Sequence, residues 1–156
     1  MSDPAGNGKI DFASFKGKSY PPFSMSVAAD HIAAFAEAID EADPIHRDLD
    51  AACAAGYRNI VAPLTYAFTL TLNAGQSFNV LADMGVPKTR AVHGEQWFDY
   101  HESICAGDTL SGVQTITDIA EKKGGALIFI KIETPLSNQL GEHVVTLGST
   151  IVVRNG

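Results

Sequence analysis

The chain has 156 residues, 46% of them hydrophobic and 19% charged, a balance that suits one globular domain and excludes a disordered or low-complexity chain. Eleven Lys and Arg stand against 18 Asp and Glu, a formal charge of −7. With no basic cluster, that charge argues against nucleic acid or an anionic membrane surface as a partner.

Residues 1–10 are polar and Gly-rich and are expected to form a flexible tail, with one domain spanning 11–156. Pro21-Pro22 precedes a short extended segment, Phe23 to Val27. From Ala28 to Ile39 the residues Ile32, Phe35, Ala36 and Ile39 fall at i, i+3, i+4 and i+7, one face of an amphipathic helix. Pro44 disfavours helical geometry at Asp43 and is expected to end it. A short helix is predicted over His46 to Ala55, stopping at Gly56. Pro63 suits the first position of another helix, and the following LTYAFTLTLNAG is apolar or small nearly all round. Such a helix belongs inside, wrapped by other elements.

Four long strands are predicted after it: Val92–His101, Thr109–Glu121, Ala126–Thr134 and His143–Arg154. Ala126, Ile128, Ile130 and Ile132 share one face and Lys131 and Glu133 the other, while Val145, Leu147, Ile151 and Val153 share a face of the last strand. Short breaks between the strands imply an antiparallel meander with one face on the core. A buried helix followed by a meander that wraps it makes the chain α+β.

Cys53 and Cys105 lie far apart with no metal-type spacing; a lone pair can form a disulfide, but two buried free thiols in a reducing cytoplasm are expected. No secretory leader or membrane-length apolar run occurs, which points to the cytoplasm. No His, Cys and Asp set has zinc spacing, and no GxSxG, GxxxxGK[ST] or GxGxxG motif is present. No metal or cofactor is expected.

Two stretches carry a family resemblance. IDEADPIHRDLDAACAAGY (Ile39 to Tyr57) resembles the hydratase segment of MaoC-like (R)-specific enoyl-CoA hydratases, where Gly-Asp-x-Asn-Pro-(Leu/Ile)-His precedes an acidic, Ala-containing helix. VHGEQWFDYHESICAGDTL (Val92 to Leu110) resembles the start of the sheet in MaoC-like dehydratases, especially the branch found as an N-terminal half or as one subunit of a pair. The resemblance implies a single hot-dog fold, an antiparallel sheet wrapped around a central helix. It implies an (R)-specific enoyl-thioester hydratase or 3-hydroxyacyl-thioester dehydratase acting on acyl-CoA or acyl-ACP. Other readings within this fold are a non-catalytic subunit of a heteromeric dehydratase and a thioesterase.

Adding water across an enoyl thioester needs a base for the water, an acid for Cα and donors for the thioester oxygen as it becomes enolate-like. Glu41 and His46 flank Pro44, so a turn there can aim both into one cleft. By the resemblance they form the acid/base pair, but Glu41 stands where the family has Asp. An extra methylene moves the carboxylate, and a misplacement on the order of 1 Å can cost ~10²-fold in rate. Asp43 occupies the family's Asn position, facing substrate or bracing the loop. The family's His-Gly pair at the start of the central helix, whose Gly amide holds the thioester oxygen, is here Pro63-Leu64. Pro63 has no N–H, so the Leu64 backbone amide is the oxyanion candidate; its side chain also reads as the helix's first core residue.

By strand alternation His93, Glu95 and Trp97 share a face, and His93 is a candidate for lining the acyl tunnel or the dimer seam, or for a structural hydrogen-bonded pair. His31, His101 and His143 read as surface or strand-end residues. Arg58, Lys88 and Arg90 lie where they could meet a carrier phosphate or simply solvent. A lone hot-dog sheet has an open edge, so a homodimer, or a heterodimer with a second hot-dog subunit, is expected.

Overall fold

The computed structural model describes residues 9–156, so most of the expected tail lies outside the described residues. Its end does not: Ile10 packs against the core. The elements are β1 (Phe23–Ser26), α1 (Ala29–Ala38), α2 (Leu49–Ala54), α3 (Ala67–Asn73), α4 (Asn79–Asp83), β2 (Ala91–Tyr100), β3 (Thr109–Gly112), β4 (Thr115–Lys122), β5 (Leu127–Ser137) and β6 (His143–Arg154). The strands form one antiparallel sheet in the order β1-β3-β5-β6-β2, with β4 also pairing β5. The expected α+β architecture is borne out, with α3 seated on the inner face of the sheet.

The alternation read in the last two strands holds. Ile128, Ile130 and Ile132 are buried while Lys131 is exposed, and Val145, Leu147 and Val153 are buried on β6. The inner face builds two apolar clusters. One gathers Ile32 of α1, Tyr66 and Leu70 beside and within α3, and Leu110, Leu136 and Val145 of the sheet. The other gathers Phe12, Val80, Leu81 and Met84 with Ile116, Ile128, Ile130 and Val153.

Several expectations are corrected. The single strand expected over Thr109–Glu121 is two. At Gly112 a Cβ would lie 2.6 Å from both the Leu136 side chain and the Pro135 carbonyl oxygen, a close approach that lets β3 pair β1 and β5 together. The central helix begins at Ala67, not Pro63; Pro63–Tyr66 is a turn in which the Tyr66 amide donates to the Pro63 carbonyl at 3.0 Å. It is buried along one face only, through Ala67, Leu70 and Thr71, while Leu72 is 45% exposed. The helix expected from His46 splits into a tight turn, Pro44–His46, and α2, because the Asp48 carboxylate caps α2 by accepting from the Ala51 amide at 3.1 Å. Cys105 is buried as expected, but Cys53 is exposed, and both are free thiols.

Strand β2 carries a bulge between His93 and Glu95. The extra residue, Gly94, breaks the alternation. His93 therefore lies on the same side as Gln96 and Phe98, exposed at the sheet's margin, and of the three residues only Glu95 and Trp97 share the outer face. There Trp97 lies against Gly148, where a Cβ would sit 1.7 Å from the indole. Among the described residues, no helix is long and apolar enough to cross a membrane.

Candidate active site

The end of α1 sets the first functional residue. Asp40 takes the left-handed conformation at φ +56°, the Asp40 amide donates to the Glu37 carbonyl at 3.1 Å, and the Glu41 amide reaches the Ala36 carbonyl at 2.8 Å. This pair of bonds terminates the helix five residues before Pro44 acts on the backbone, so Pro44 is not what ends it. Asp40 thus stands where a glycine is usual and is exposed, and Glu41 is turned into a cleft.

The following turn is braced by Asp43, whose Oδ1 accepts from the Ile45 amide at 3.1 Å, and its own amide donates to Glu41 Oε1 at 3.0 Å. Asp43 is exposed and does not line the cleft. It supports the loop and steadies Glu41 rather than facing the cleft as a substrate contact.

His46 ends that turn and is 7% exposed, unlike an ordinary loop histidine. Its Nδ1 lies 2.7 Å from the Val61 carbonyl oxygen. A carbonyl only accepts, so Nδ1 carries a proton and Nε2 is the ring nitrogen not used by this bond. Val61 is itself held on both sides. Its amide donates to the Ile45 carbonyl at 3.2 Å, the Ala62 amide to Ile104 at 2.8 Å, and the Ala106 amide to Ile60 at 2.8 Å.

A buried carboxylate anchors this strip. Asp108 receives both terminal nitrogens of Arg58 at 2.6 Å, the Cys105 amide at 2.9 Å and the Gln139 side-chain amide at 3.4 Å. Burial pushes the Asp108 carboxyl up, but the Arg58 and Cys105 hydrogen bonds outweigh it and hold the group below the usual carboxylate range. Arg58 is thereby committed within the chain. Of the other two cations considered for a carrier phosphate, Arg90 donates to the Arg154 carbonyl and Asn155, and Lys88 sits 3.7 Å from the centre of the Phe78 ring.

Glu41, His46 and Leu64 line one open cleft of about 610 Å³, together with Tyr100, His101 and Glu102 from the end of β2 and beyond. Leu64 is 70% exposed and is not a core residue. The Leu64 and Thr65 amides have no acceptor among the described residues, so the turn before α3 offers two free N–H groups at the cleft wall. The Tyr100 hydroxyl donates to the Leu64 carbonyl at 2.7 Å and fixes that peptide. Burial raises the Tyr100 hydroxyl to about 12, so it remains a donor at neutral pH. Sequence reasoning missed Tyr100, and equally the Val61 carbonyl and the Arg58–Asp108 pair; aromatic residues at strand ends are common, and nothing local marks this one.

His93 does not join this group. It lines a separate small chamber with Phe68 of α3, whose ring it meets edge-on at 5.7 Å. His31, His101 and His143 are exposed as expected, with the His101 and His143 rings 4.4 Å apart.

Comparison with known proteins agrees with the fold. Over 142 residues the chain is 39% identical to a UPF0336 protein of Saccharopolyspora erythraea, covering 90% of each chain. Among solved structures, it is similar at 26% identity and a TM-score of 0.76 to a chain of the HadBC (3R-hydroxyacyl-ACP dehydratase) complex of Mycobacterium tuberculosis, covering 88% of this chain and 96% of that one. A MaoC-like dehydratase matches with a TM-score of 0.81 at 27% identity over 90% of this chain, which spans 42% of its length. The architecture is that of the hot-dog dehydratases. The family described as FAS1-like, dehydratase domain region, matches residues 14–147, and the chain belongs to that family.

Proposed function

We propose that the protein is an (R)-specific enoyl-thioester hydratase, working in reverse as a 3-hydroxyacyl-thioester dehydratase, on acyl-CoA or acyl-ACP. The observation that carries the reading is His46, buried at the cleft and held through Nδ1 by the Val61 carbonyl. That bond occupies Nδ1 and leaves Nε2 as the ring nitrogen available for proton transfer in the cleft that Glu41 also lines. In hydration, Nε2 takes one proton from water as its oxygen bonds to Cβ, and Glu41 supplies a proton to Cα. Charge gathers on the thioester oxygen, which the Leu64 amide and its neighbour at Thr65 receive. A further water resets the pair by moving the proton from His46 to Glu41.

The protein is proposed to work as a dimer, with itself or with a second hot-dog subunit, in the cytoplasm. Strand β2 pairs only β6 among the described residues, so its ten-residue outer edge is open to a partner strand.

The decisive experiment is ultraviolet-monitored hydration of crotonyl-CoA by the purified protein, with His46→Ala and Glu41→Gln alongside. The expected outcome is turnover by the wild type and a loss of about 10²–10⁴-fold in either variant. No turnover by a folded wild type sinks the self-sufficient hydratase. Two observations support the remaining reading, a substrate-holding subunit whose partner supplies the acid and base. Glu41 replaces the shorter Asp, and an exposed Leu64 side chain stands where the family's glycine leaves space.

A further inference from the structure

Leu64 brings two contrasting groups to the cleft wall. Its backbone amide has no acceptor among the described residues, while its side chain is apolar and 70% exposed. The backbone that carries both is held on either side. The Ala62 amide donates to the Ile104 carbonyl at 2.8 Å, and the ring of Pro63 fixes its own φ immediately before Leu64. The Tyr100 hydroxyl donates to the Leu64 carbonyl at 2.7 Å, and the Tyr66 amide closes the turn onto the Pro63 carbonyl at 3.0 Å. A bulky group entering the cleft cannot push this peptide aside without breaking those bonds.

A thioester oxygen that accepts from the Leu64 amide sits about 2.9 Å from its nitrogen. The Cβ of the same residue lies roughly 2.5 Å from that nitrogen by covalent geometry. The two atoms attached to the thioester carbonyl carbon therefore come within van der Waals reach of the leucine side chain, on the order of 4 Å. One of them is sulfur, whose arm must leave toward the carrier in solvent. The other is Cα, which must stay in the cleft with Glu41 and His46, so the carbon side is the crowded side. We propose that Leu64 is a specificity-determining residue whose side chain confines the protein to thioesters unbranched at Cα. The proposal rests on the thioester reading given above and adds the substrate class. An unbranched chain presents only hydrogens at Cα beside the leucine methyls. Each methyl branch there adds a carbon where the side chain already stands, and the pinned backbone leaves only the leucine rotamer to yield.

The test is calorimetric binding of butanoyl-, 2-methylbutanoyl- and 2,2-dimethylbutanoyl-CoA to the wild type, Leu64→Gly and Leu64→Ala. These saturated esters are not hydrated, so binding is read without turnover. Both variants keep the backbone amide, so only the side chain is tested. The expected result for the wild type is binding weakened about tenfold by the first methyl and further by the second. Both substitutions bring the three esters within about threefold of one another, and thermal melts verify that the variants are folded. Equal binding of the three esters by the wild type overturns the proposal, as does a discrimination that survives both substitutions. In either case the thioester reading stands. Failure to bind any of the three esters sinks that reading and the proposal with it.

Discussion

Two polar places border the start and middle of α3, and they are built on opposite plans. In the cleft, each functional side chain is tethered to the backbone: His46 to Val61, Glu41 to the Asp43 amide, Tyr100 to the Leu64 carbonyl. In the chamber, which Thr71, Thr134 and Ser149 also line, the buried Gln96 and Gln114 oxygens have no partner among the described residues. The first plan fixes the aim of each side chain before any ligand arrives, as proton transfer requires. The second leaves bonding capacity in reserve for whatever enters.

Cutting the anchor of the cleft is the largest way to break that contrast. Asp108→Ala removes the acceptor for Arg58, the Cys105 amide and Gln139, and should lower the unfolding free energy by about 2–4 kcal/mol in urea titration. Arg58 remains half in water, which keeps the loss below that of a fully buried pair. The pH dependence follows in sign. A carboxyl held below its usual range stabilises the fold above about pH 4, and that contribution is lost as pH falls through the lowered value. Asp108→Asn should therefore flatten the acid limb of stability against pH. An acid limb unchanged from wild type would remove Asp108 from the anchor.

Tyr100→Phe is a milder cut. Losing one hydroxyl donor at a partly solvated carbonyl should cost about 0.5–1.5 kcal/mol, and it should abolish a tyrosine ionisation near pH 12 in the absorbance titration. Because burial raises that value, the stabilisation is present below the ordinary tyrosine range and is lost as pH rises through about 12. The smallest effect sharpens the contrast. Gln114→Leu should leave stability within about 1 kcal/mol of wild type or raise it, since its buried Oε1 has no partner among the described residues. A loss as large as that of Asp108→Ala would mean Gln114 is as firmly tethered as the cleft residues.

Much of the framework is legible in the sequence because it depends on local periodicity. Lys131 and Glu133 alternate with isoleucines, and Ile32 and Ala36 recur at helical spacing, whatever packs on them. The failures sit where distant chain decides. The break between β3 and β4 comes from Leu136 and Pro135 crowding Gly112, and a glycine in a strand does not announce which neighbour approaches it. Gly94 shifts His93 to the other face through a bulge that exists only against β6. In the cleft, the Glu-Ala-Asp-Pro-Ile-His run marks His46, but its partner Val61 lies 15 residues on and contributes a carbonyl that any residue type carries. Arg58 and Asp108 are 50 residues apart. Ile39 shows the same limit in reverse: its helical spacing predicts burial, yet it is 46% exposed because the cleft opens beside it.

Trp97 lies on the bare backbone of Gly148, under Lys131 at 5.1 Å from the ring. It is the chain's single tryptophan, so the molecule carries one indole fluorophore, placed on the outer face of the strand whose edge stands open. Its emission reads the seam between β2 and β6 and what arrives beside it, undisturbed by substitutions in the cleft on the inner side. Titrating the protein against itself or against a candidate partner subunit can thus be followed by an optical signal already present in the natural chain, with no label attached.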